Sequence, residues 1–81
     1  MGSPTEERLE EILAKVLLVD KANINDKMSR KNTEEWDSMA HLMLVSAIES
    51  AFGIVMSDDD VMEIETVGDI KKVLRKVGVV I

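Results

Sequence analysis

The helical spacing of aliphatic residues is the feature that most constrains this chain. In residues 4–19, leucine, isoleucine and valine recur every three or four positions, and most positions between them are charged. Valine and isoleucine are frequent elsewhere, yet they do not alternate with polar residues over a useful length, which argues against β-strands. Apolar residues make up 46% of the sequence and aromatic residues only 2%. This balance predicts an all-α fold with an aliphatic core.

Capping residues and apolar spacing together predict a four-helix bundle with three longer helices and a short third one. Ser3, Pro4 and Glu6 form a typical helix start, so the first helix is expected from Pro4 to about Val19. The second helix is expected from Ser38 to about Phe52, with Gly53 as its stop. Ser57 opens the short third helix, Thr66 opens the fourth, and Gly78 ends it.

The apolar positions also assign an inner face to the last two helices. Val61 and Ile64 are expected to face the core from the third helix. On the fourth helix the expected buried stripe is Val67, Ile70, Leu74 and Val77, and the residues expected to face water are Lys71, Lys72, Arg75 and Lys76.

A long segment, Asp20 to Asp37, separates the first two helices and lacks sustained periodicity. Connections of this length are usually functional or disordered. Because Ile24, Met28 and Trp36 could pin it to the core, we expect an ordered loop. We expect one domain over residues 1–81, with residues 1–3 flexible or foreign to it.

Composition and charge exclude several classes of function. There is no cysteine and only one histidine, so a thiolate metal site or a metal cluster of histidines is excluded. The run Asp58-Asp59-Asp60 lacks the central glycine and terminal glutamate of a calcium loop, and we expect no metal. Residues 32–70 hold ten acidic residues and no lysine or arginine, which argues against nucleic-acid binding. No apolar run reaches membrane-spanning length, so a cytoplasmic protein without membrane insertion is expected.

The second helix has two contrasting faces when its residues are placed about 100° apart. The arc expected to face the core holds Ala40, His41, Leu44, Val45, Ala47, Ile48, Ala51 and Phe52. The opposite arc holds Met39, Leu42, Met43, Ser46, Glu49 and Ser50. Exposed apolar side chains beside polar ones indicate a surface for partners, and methionine adapts to different partners. The alternative is a central helix that is buried on all sides.

Ser38 allows two interpretations. A serine before an apolar helix is a common cap. A helix start also offers free backbone N–H groups, which suit an attached phosphate. A hydrolase with Ser38 as nucleophile is disfavoured, because the one histidine, His41, lies three residues along the same helix, where triad geometry is improbable. We expect His41 to be structural.

Two stretches carry a resemblance to a known family. Trp36-Asp37-Ser38-Met39 resembles the Asp-Ser-Leu attachment motif of acyl carrier proteins and of the related peptidyl and aminoacyl carriers, with methionine in the leucine position. Residues 47–70, AIESAFGIVMSDDDVMEIETVGDI, resemble the end of that family's second helix, its short third helix and the start of its fourth.

The resemblance implies a non-catalytic carrier. A phosphopantetheinyl transferase would attach 4'-phosphopantetheine from coenzyme A to Ser38, and the thiol of that arm would carry acyl or aminoacyl groups as thioesters. Asp37 and Met39 would flank the attachment point: Asp37 would help to present the serine to the transferase, and Met39 would be the hydrophobic contact just after it. Partner enzymes would contact Met39, Leu42, Met43, Ser46, Glu49 and Ser50.

The second helix departs from the fatty-acid type of carrier, which is strongly acidic there, because Glu49 is its only acid. This departure favours a specialised, stand-alone carrier that is served by its own ligase or transferase. The resemblance implies a monomer that serves lipid, polyketide or related biosynthesis. Its partners would be an acyl- or aminoacyl-activating ligase and acyl-transferring or condensing enzymes. An aminoacyl, peptidyl or D-alanyl carrier, and an unmodified helical interaction module, remain alternatives.

Overall fold

The computed structural model describes residues 3–81. It contains four α-helices: α1 (Pro4–Leu17), α2 (Ser38–Phe52), α3 (Asp58–Glu63) and α4 (Val67–Lys76). The described residues contain no β-strand, and one isolated β-bridge joins Ser29 to Thr66. The predicted all-α fold, with a short third helix and a long first loop, is confirmed. Met1 and Gly2, which the expectation for residues 1–3 included, lie outside the described residues.

Three of the predicted helix starts, Ser3, Ser57 and Thr66, are hydrogen-bonded caps. The Ser3 hydroxyl accepts a hydrogen bond from the Glu6 N–H at 3.1 Å, which caps α1. The Thr66 hydroxyl accepts from the Asp69 N–H, and the Asp69 carboxylate accepts from the Thr66 N–H, so α4 begins with a capping box.

The ends of α1 and α2 are left-handed residues. Gly53 ends α2 with a φ of 65°, as predicted. Leu18 takes the same role after α1 with a φ of 57°, although it is not a glycine. A left-handed residue cannot continue an α-helix, so α1 stops at Leu17, two residues before its expected end.

One aliphatic core joins the helices and the first loop. Its largest fully buried side chains come from all parts of the chain: Leu9, Leu13, Leu17, Trp36, Leu44, Ile48, Ile64, Val67, Ile70 and Leu74. The prediction for Val77 is wrong, because its side chain is 36% exposed and Val73 is buried instead. The helix ends at Lys76, so Val77 no longer follows the helical period that buries Leu74.

The loop between α1 and α2 is ordered, as expected. Ile24 and Trp36 are buried, and Met28 packs partly against the core. A short 3₁₀ helix, Lys21–Asn23, follows α1. Backbone hydrogen bonds then attach the loop to the start of α4, including one from the Val67 N–H to the Met28 carbonyl at 2.9 Å.

A salt bridge strengthens this attachment and corrects one prediction. Lys71 was expected to face water, yet only 13% of its side chain is exposed. Its ammonium group donates a hydrogen bond to the Asp26 carboxylate at 2.6 Å and lies 3.9 Å from that of Glu6. The amphipathic pattern of α4 could not reveal this contact, because Asp26 is 45 residues away in the chain.

Candidate functional site

The start of α2 contains the motif Asp37-Ser38, and its cap is Asp37. The Asp37 carboxylate accepts a hydrogen bond from the Ala40 N–H at 2.8 Å, and its backbone is extended. Ser38 is therefore the first helical residue and not the cap, so the capping role considered for Ser38 is wrong. A carboxylate in the capping position satisfies the backbone without using the serine hydroxyl.

Ser38 is exposed, and no hydrogen bond within residues 3–81 involves its hydroxyl. The first intrahelical bond of α2 runs from the His41 N–H to the Asp37 carbonyl at 2.9 Å. The N–H groups of Ser38 and Met39 precede this bond and have no protein partner in the described part of the chain. A free hydroxyl thus lies beside two free backbone donors at the positive end of a helix.

The tryptophan before this motif is fixed by a buried histidine. The Trp36 indole N–H donates to His41 Nδ1 at 3.1 Å, and the two rings stack with centroids 6.2 Å apart. On the other side of the ring, His41 Nε2 lies 2.9 Å from the carbonyl of Val61 in α3. Because the indole only donates and the carbonyl only accepts, His41 is the neutral tautomer with its proton on Nε2.

This arrangement leaves His41 no free nitrogen with which to activate Ser38, which agrees with its expected structural role. The Val61 carbonyl is among the last four of α3, which have no partner within their own helix. His41 therefore provides the missing donor for a neighbouring helix. Sequence reasoning placed His41 on the core face but could not identify either of its partners.

The outward face of α2 is apolar, with Met39 73%, Leu42 65% and Met43 53% exposed. The alternative of a helix buried on all sides is therefore wrong. Ser46 and Ser50 are also exposed. Glu49 is only partly exposed, and its carboxylate accepts a hydrogen bond from the Met56 N–H at 2.7 Å. The single acid of α2 is thus used within the molecule.

The acidic run that opens α3 contains one paired residue. Lys76 donates a hydrogen bond to the Asp60 carboxylate at 2.9 Å, whereas Asp58 and Asp59 are exposed. Hydrogen bonds from Lys76 and Ser57 lower the pKa of Asp60 below its ordinary value of 3.8. The same bond to Asp60 raises the pKa of Lys76 above its ordinary value of 10.5. Sequence patterns show three equivalent aspartates, so this pairing was missed.

Residues 3–81 contain neither a metal-binding cluster of side chains nor a membrane-spanning helix. Within residues 3–81, no three histidine, aspartate or glutamate side chains converge to hold a metal ion. Over the same range, no helix has both the length and the apolar character needed to cross a membrane.

The fold and the site together define a class of protein: a small helical bundle that presents a free serine at the start of its second helix. The family model described as phosphopantetheine attachment site matches residues 7–74. A solved structure with a TM-score of 0.79 is that of a protein provisionally assigned as an acyl carrier protein from Mycobacterium tuberculosis. It is 25% identical in sequence, and the match covers 88% of this chain and 95% of that one.

This chain belongs to the phosphopantetheine-binding carrier protein family. The resemblance seen in the sequence is confirmed. The prosthetic group of this family is a covalently attached phosphopantetheine, and its carrier domains work together with partner enzymes. Such domains are in general non-catalytic.

Proposed function

We propose that this chain is one carrier domain, residues 1–81, that bears phosphopantetheine on Ser38 and transports acyl or aminoacyl groups as thioesters. The observation that carries the proposal is the exposed Ser38 hydroxyl, which has no hydrogen-bond partner within residues 3–81 and lies at the start of α2. The hydroxyls of Ser3, Ser29, Ser57 and Thr66 all accept hydrogen bonds from the backbone. Ser38 also lies within the residues that match the family model.

The attachment is a phosphoryl transfer. The Ser38 hydroxyl oxygen attacks the phosphorus that bears the pantetheine in coenzyme A, and a new oxygen–phosphorus ester bond forms. The diphosphate bond breaks, the adenosine bisphosphate leaves, and the serine proton passes to a base of the transferase. The attached arm supplies the thiol, which this chain lacks because it has no cysteine.

The neighbouring residues support this role in distinct ways. Asp37 fixes the first turn of α2 through its bond to the Ala40 N–H, so the Ser38 hydroxyl remains available to the transferase. The N–H groups of Ser38 and Met39 can donate to the phosphate of the attached group. Met39 is exposed next to Ser38 and provides an apolar contact for the transferase.

We propose that partner enzymes bind the outward face of α2 mainly through apolar contacts. The exposed members of this face are Met39, Leu42, Met43, Ser46 and Ser50. Glu49 contributes little charge to it, because its carboxylate is bound to the Met56 N–H. Such a face favours dedicated partners over enzymes that recognise a strongly acidic second helix. The expected partners are a phosphopantetheinyl transferase, an activating ligase and an acyl-transferring or condensing enzyme.

Incubation with coenzyme A and a broad-specificity phosphopantetheinyl transferase, followed by intact-protein mass spectrometry, tests the attachment. We expect wild-type protein to gain one phosphopantetheine and Ser38→Ala to gain none. Ser3→Ala is the matched control, because Ser3 is an exposed serine outside α2 and its outward face, and it should be modified like wild type. An unmodified wild type, or a modified Ser38→Ala, would overturn the proposal.

A second candidate is a helical interaction module that is never modified. The exposed apolar face of Met39, Leu42 and Met43 favours it, because such a face suits a protein partner with or without an attached arm. The same mass measurement separates the two candidates.

Fatty-acid, polyketide, aminoacyl and D-alanyl pathways are all consistent with the proposed carrier. We expect the protein to be a cytoplasmic monomer.

A further inference from the structure

The contacts of Trp36 and His41 connect three parts of the molecule at the candidate attachment end. Trp36 belongs to the end of the long loop, His41 to α2 and Val61 to α3. The bond from His41 to the Val61 carbonyl crosses from α2 to α3 one helical turn after Ser38. We call this hydrogen-bonded chain, Trp36–His41–Val61, the clamp.

The interior behind the clamp has no room for a guest. Trp36 and His41 pack against aliphatic side chains of α2, α4 and the segment between α3 and α4, and no space among them admits a water molecule. The aliphatic members are Leu44, Val45, Ile48, Ile64 and Ile70. Because protein interiors are close-packed, an alkyl chain could enter only by displacing these side chains.

Entry of an alkyl chain would also separate the polar groups of Trp36, His41 and Val61, which are hydrogen-bonded to one another. Within residues 3–81, no buried side-chain nitrogen or oxygen lacks a hydrogen-bond partner. An alkyl chain offers neither a donor nor an acceptor. Parting His41 from Trp36 and Val61 would therefore leave buried donors and acceptors unsatisfied beside an apolar guest, which is unfavourable.

We propose that Trp36 and His41 are specificity-determining residues that keep the cargo outside the helical bundle. The inference rests on the proposed attachment at Ser38. A carrier whose interior is closed at this end leaves a long alkyl chain on the surface, where at least part of it remains in contact with water. The cargo class that fits is a short or polar acyl group, such as an aminoacyl group or an acyl group of a few carbons, whose exposure to water has little cost.

The rate at which hydroxylamine cleaves the thioester tests this inference. The transferase is used to load wild-type protein with acetyl- or octanoyl-phosphopantetheine from the corresponding coenzyme A thioester, and mass spectrometry confirms loading. The ratio of the octanoyl to the acetyl cleavage rate on the protein is then divided by the same ratio for the free coenzyme A thioesters. We expect the result to lie within about twofold of one, because an exposed thioester has no local opening step before cleavage.

Variants test whether the clamp is the cause. His41→Ala breaks both hydrogen bonds and creates space, so its octanoyl thioester should be cleaved several-fold more slowly than its acetyl thioester. Leu13→Ala is the matched control, because it removes a fully buried side chain of α1 that is not among those lining the space beside Trp36 and His41, and its normalised ratio should remain near one. Trp36→Phe, which keeps an aromatic ring but removes the donor, should lie between His41→Ala and wild type.

The outcomes separate the two proposals. Failure of wild type to gain any arm overturns the attachment at Ser38. If wild type is loaded but its normalised octanoyl-to-acetyl ratio is about 0.1 or lower, the closed interior is overturned, because such a ratio shows that wild type protects the octanoyl chain. Equal ratios for His41→Ala, Trp36→Phe and wild type overturn the assignment to the clamp. The wild-type comparison decides the first two points even if the variants do not fold.

Discussion

The N-termini of α2 and α4 begin in similar ways but use their backbone differently. At α4, every N–H group from Thr66 to Asp69 has a partner. Thr66 donates to the Asp69 carboxylate, Val67 donates to the Met28 carbonyl, and Gly68 donates to the Asp26 carbonyl. Asp69 donates back to the Thr66 hydroxyl. This end of α4 is closed by its own cap and by the long loop.

At α2, the cap is made by one side chain, and no loop among residues 3–81 donates to or accepts from this helix start. Asp37 accepts from the Ala40 N–H, while Ser38 and Met39 keep free N–H groups and exposed side chains within the described part of the chain. A helix start that serves only the fold gains stability when all of its donors are paired. The difference indicates that α4 begins as a structural junction and α2 begins as an accessible site.

The largest loss of stability is expected at the start of α4, where every N–H group has a partner. Asp69→Ala removes the acceptor for the N–H groups of both Glu65 and Thr66, and we expect it to lower the free energy of unfolding by about 2 kcal/mol. Urea unfolding followed by circular dichroism measures this loss. Asp69→Asn is the control, because its amide oxygen can still accept and should recover part of the stability. A loss as small as that of an exposed-residue substitution would show that the junction is not closed by this residue.

A smaller loss of stability is expected at the start of α2, where the Ser38 and Met39 N–H groups are free within residues 3–81. Asp37→Ala removes a single capping acceptor, which costs about 1 kcal/mol in typical helices. Asp37→Asn should retain the stability, because asparagine caps as well as aspartate. Equal losses for Asp37→Ala and Asp69→Ala in the same urea experiment would break the contrast between the two helix starts.

The local features of the fold were predictable from the sequence, because caps and apolar periods are short-range signals. The bounds of α2 agree with the prediction, and the starts at Pro4 and after Thr66 follow from their capping residues. The end of α1 was misplaced because a leucine, rather than a glycine, adopts the left-handed conformation there. Nothing in the composition of residues 17–19 indicates that change.

The candidate site was predictable in its residues but not in its contacts. The motif around Ser38 and the apolar outward face could be read directly from α2. The true cap, Asp37, was missed because aspartate and serine are equally suitable caps and stand side by side. Val61 lies 20 residues from His41, and Lys76 lies 16 residues from Asp60. Periodicity carries no information about contacts over such separations.

At the C-terminal end of α4, Lys76 forms a salt bridge with Asp60. The contribution of this salt bridge to the free energy of unfolding should depend on pH. The pKa of Asp60 is lower in the folded protein than its ordinary value of 3.8, so this pairing stabilises the fold above that pH and is lost as the pH falls through the lower, folded-state value. In Lys76→Met the partner is absent. We expect the difference in unfolding free energy between wild type and this variant to be present at neutral pH and to disappear in acid.

Lys72→Met provides the control, because Lys72 is an exposed lysine of α4 with no salt bridge among the described residues. The difference in unfolding free energy between Lys72→Met and wild type should change less with pH over the same range. A Lys76→Met difference that persists below the folded-state pKa of Asp60 would mean that the methylene stem of Lys76, and not its charge, stabilises α4.

The smallest effect on stability is expected at the residue with the largest proposed effect on function. The Ser38 hydroxyl has no partner within residues 3–81, so Ser38→Ala should change the free energy of unfolding of the unmodified protein by no more than about 0.5 kcal/mol. Ser57→Ala is the matched comparison, because the Ser57 hydroxyl caps α3 by accepting from the Asp60 N–H, and its loss should cost about 1 kcal/mol. Urea unfolding of both variants measures the two values. A loss of about 1 kcal/mol or more in Ser38→Ala would show that the hydroxyl serves the fold after all. A stable Ser38→Ala that accepts no arm would separate the chemistry of this position from the folding of the helix that presents it.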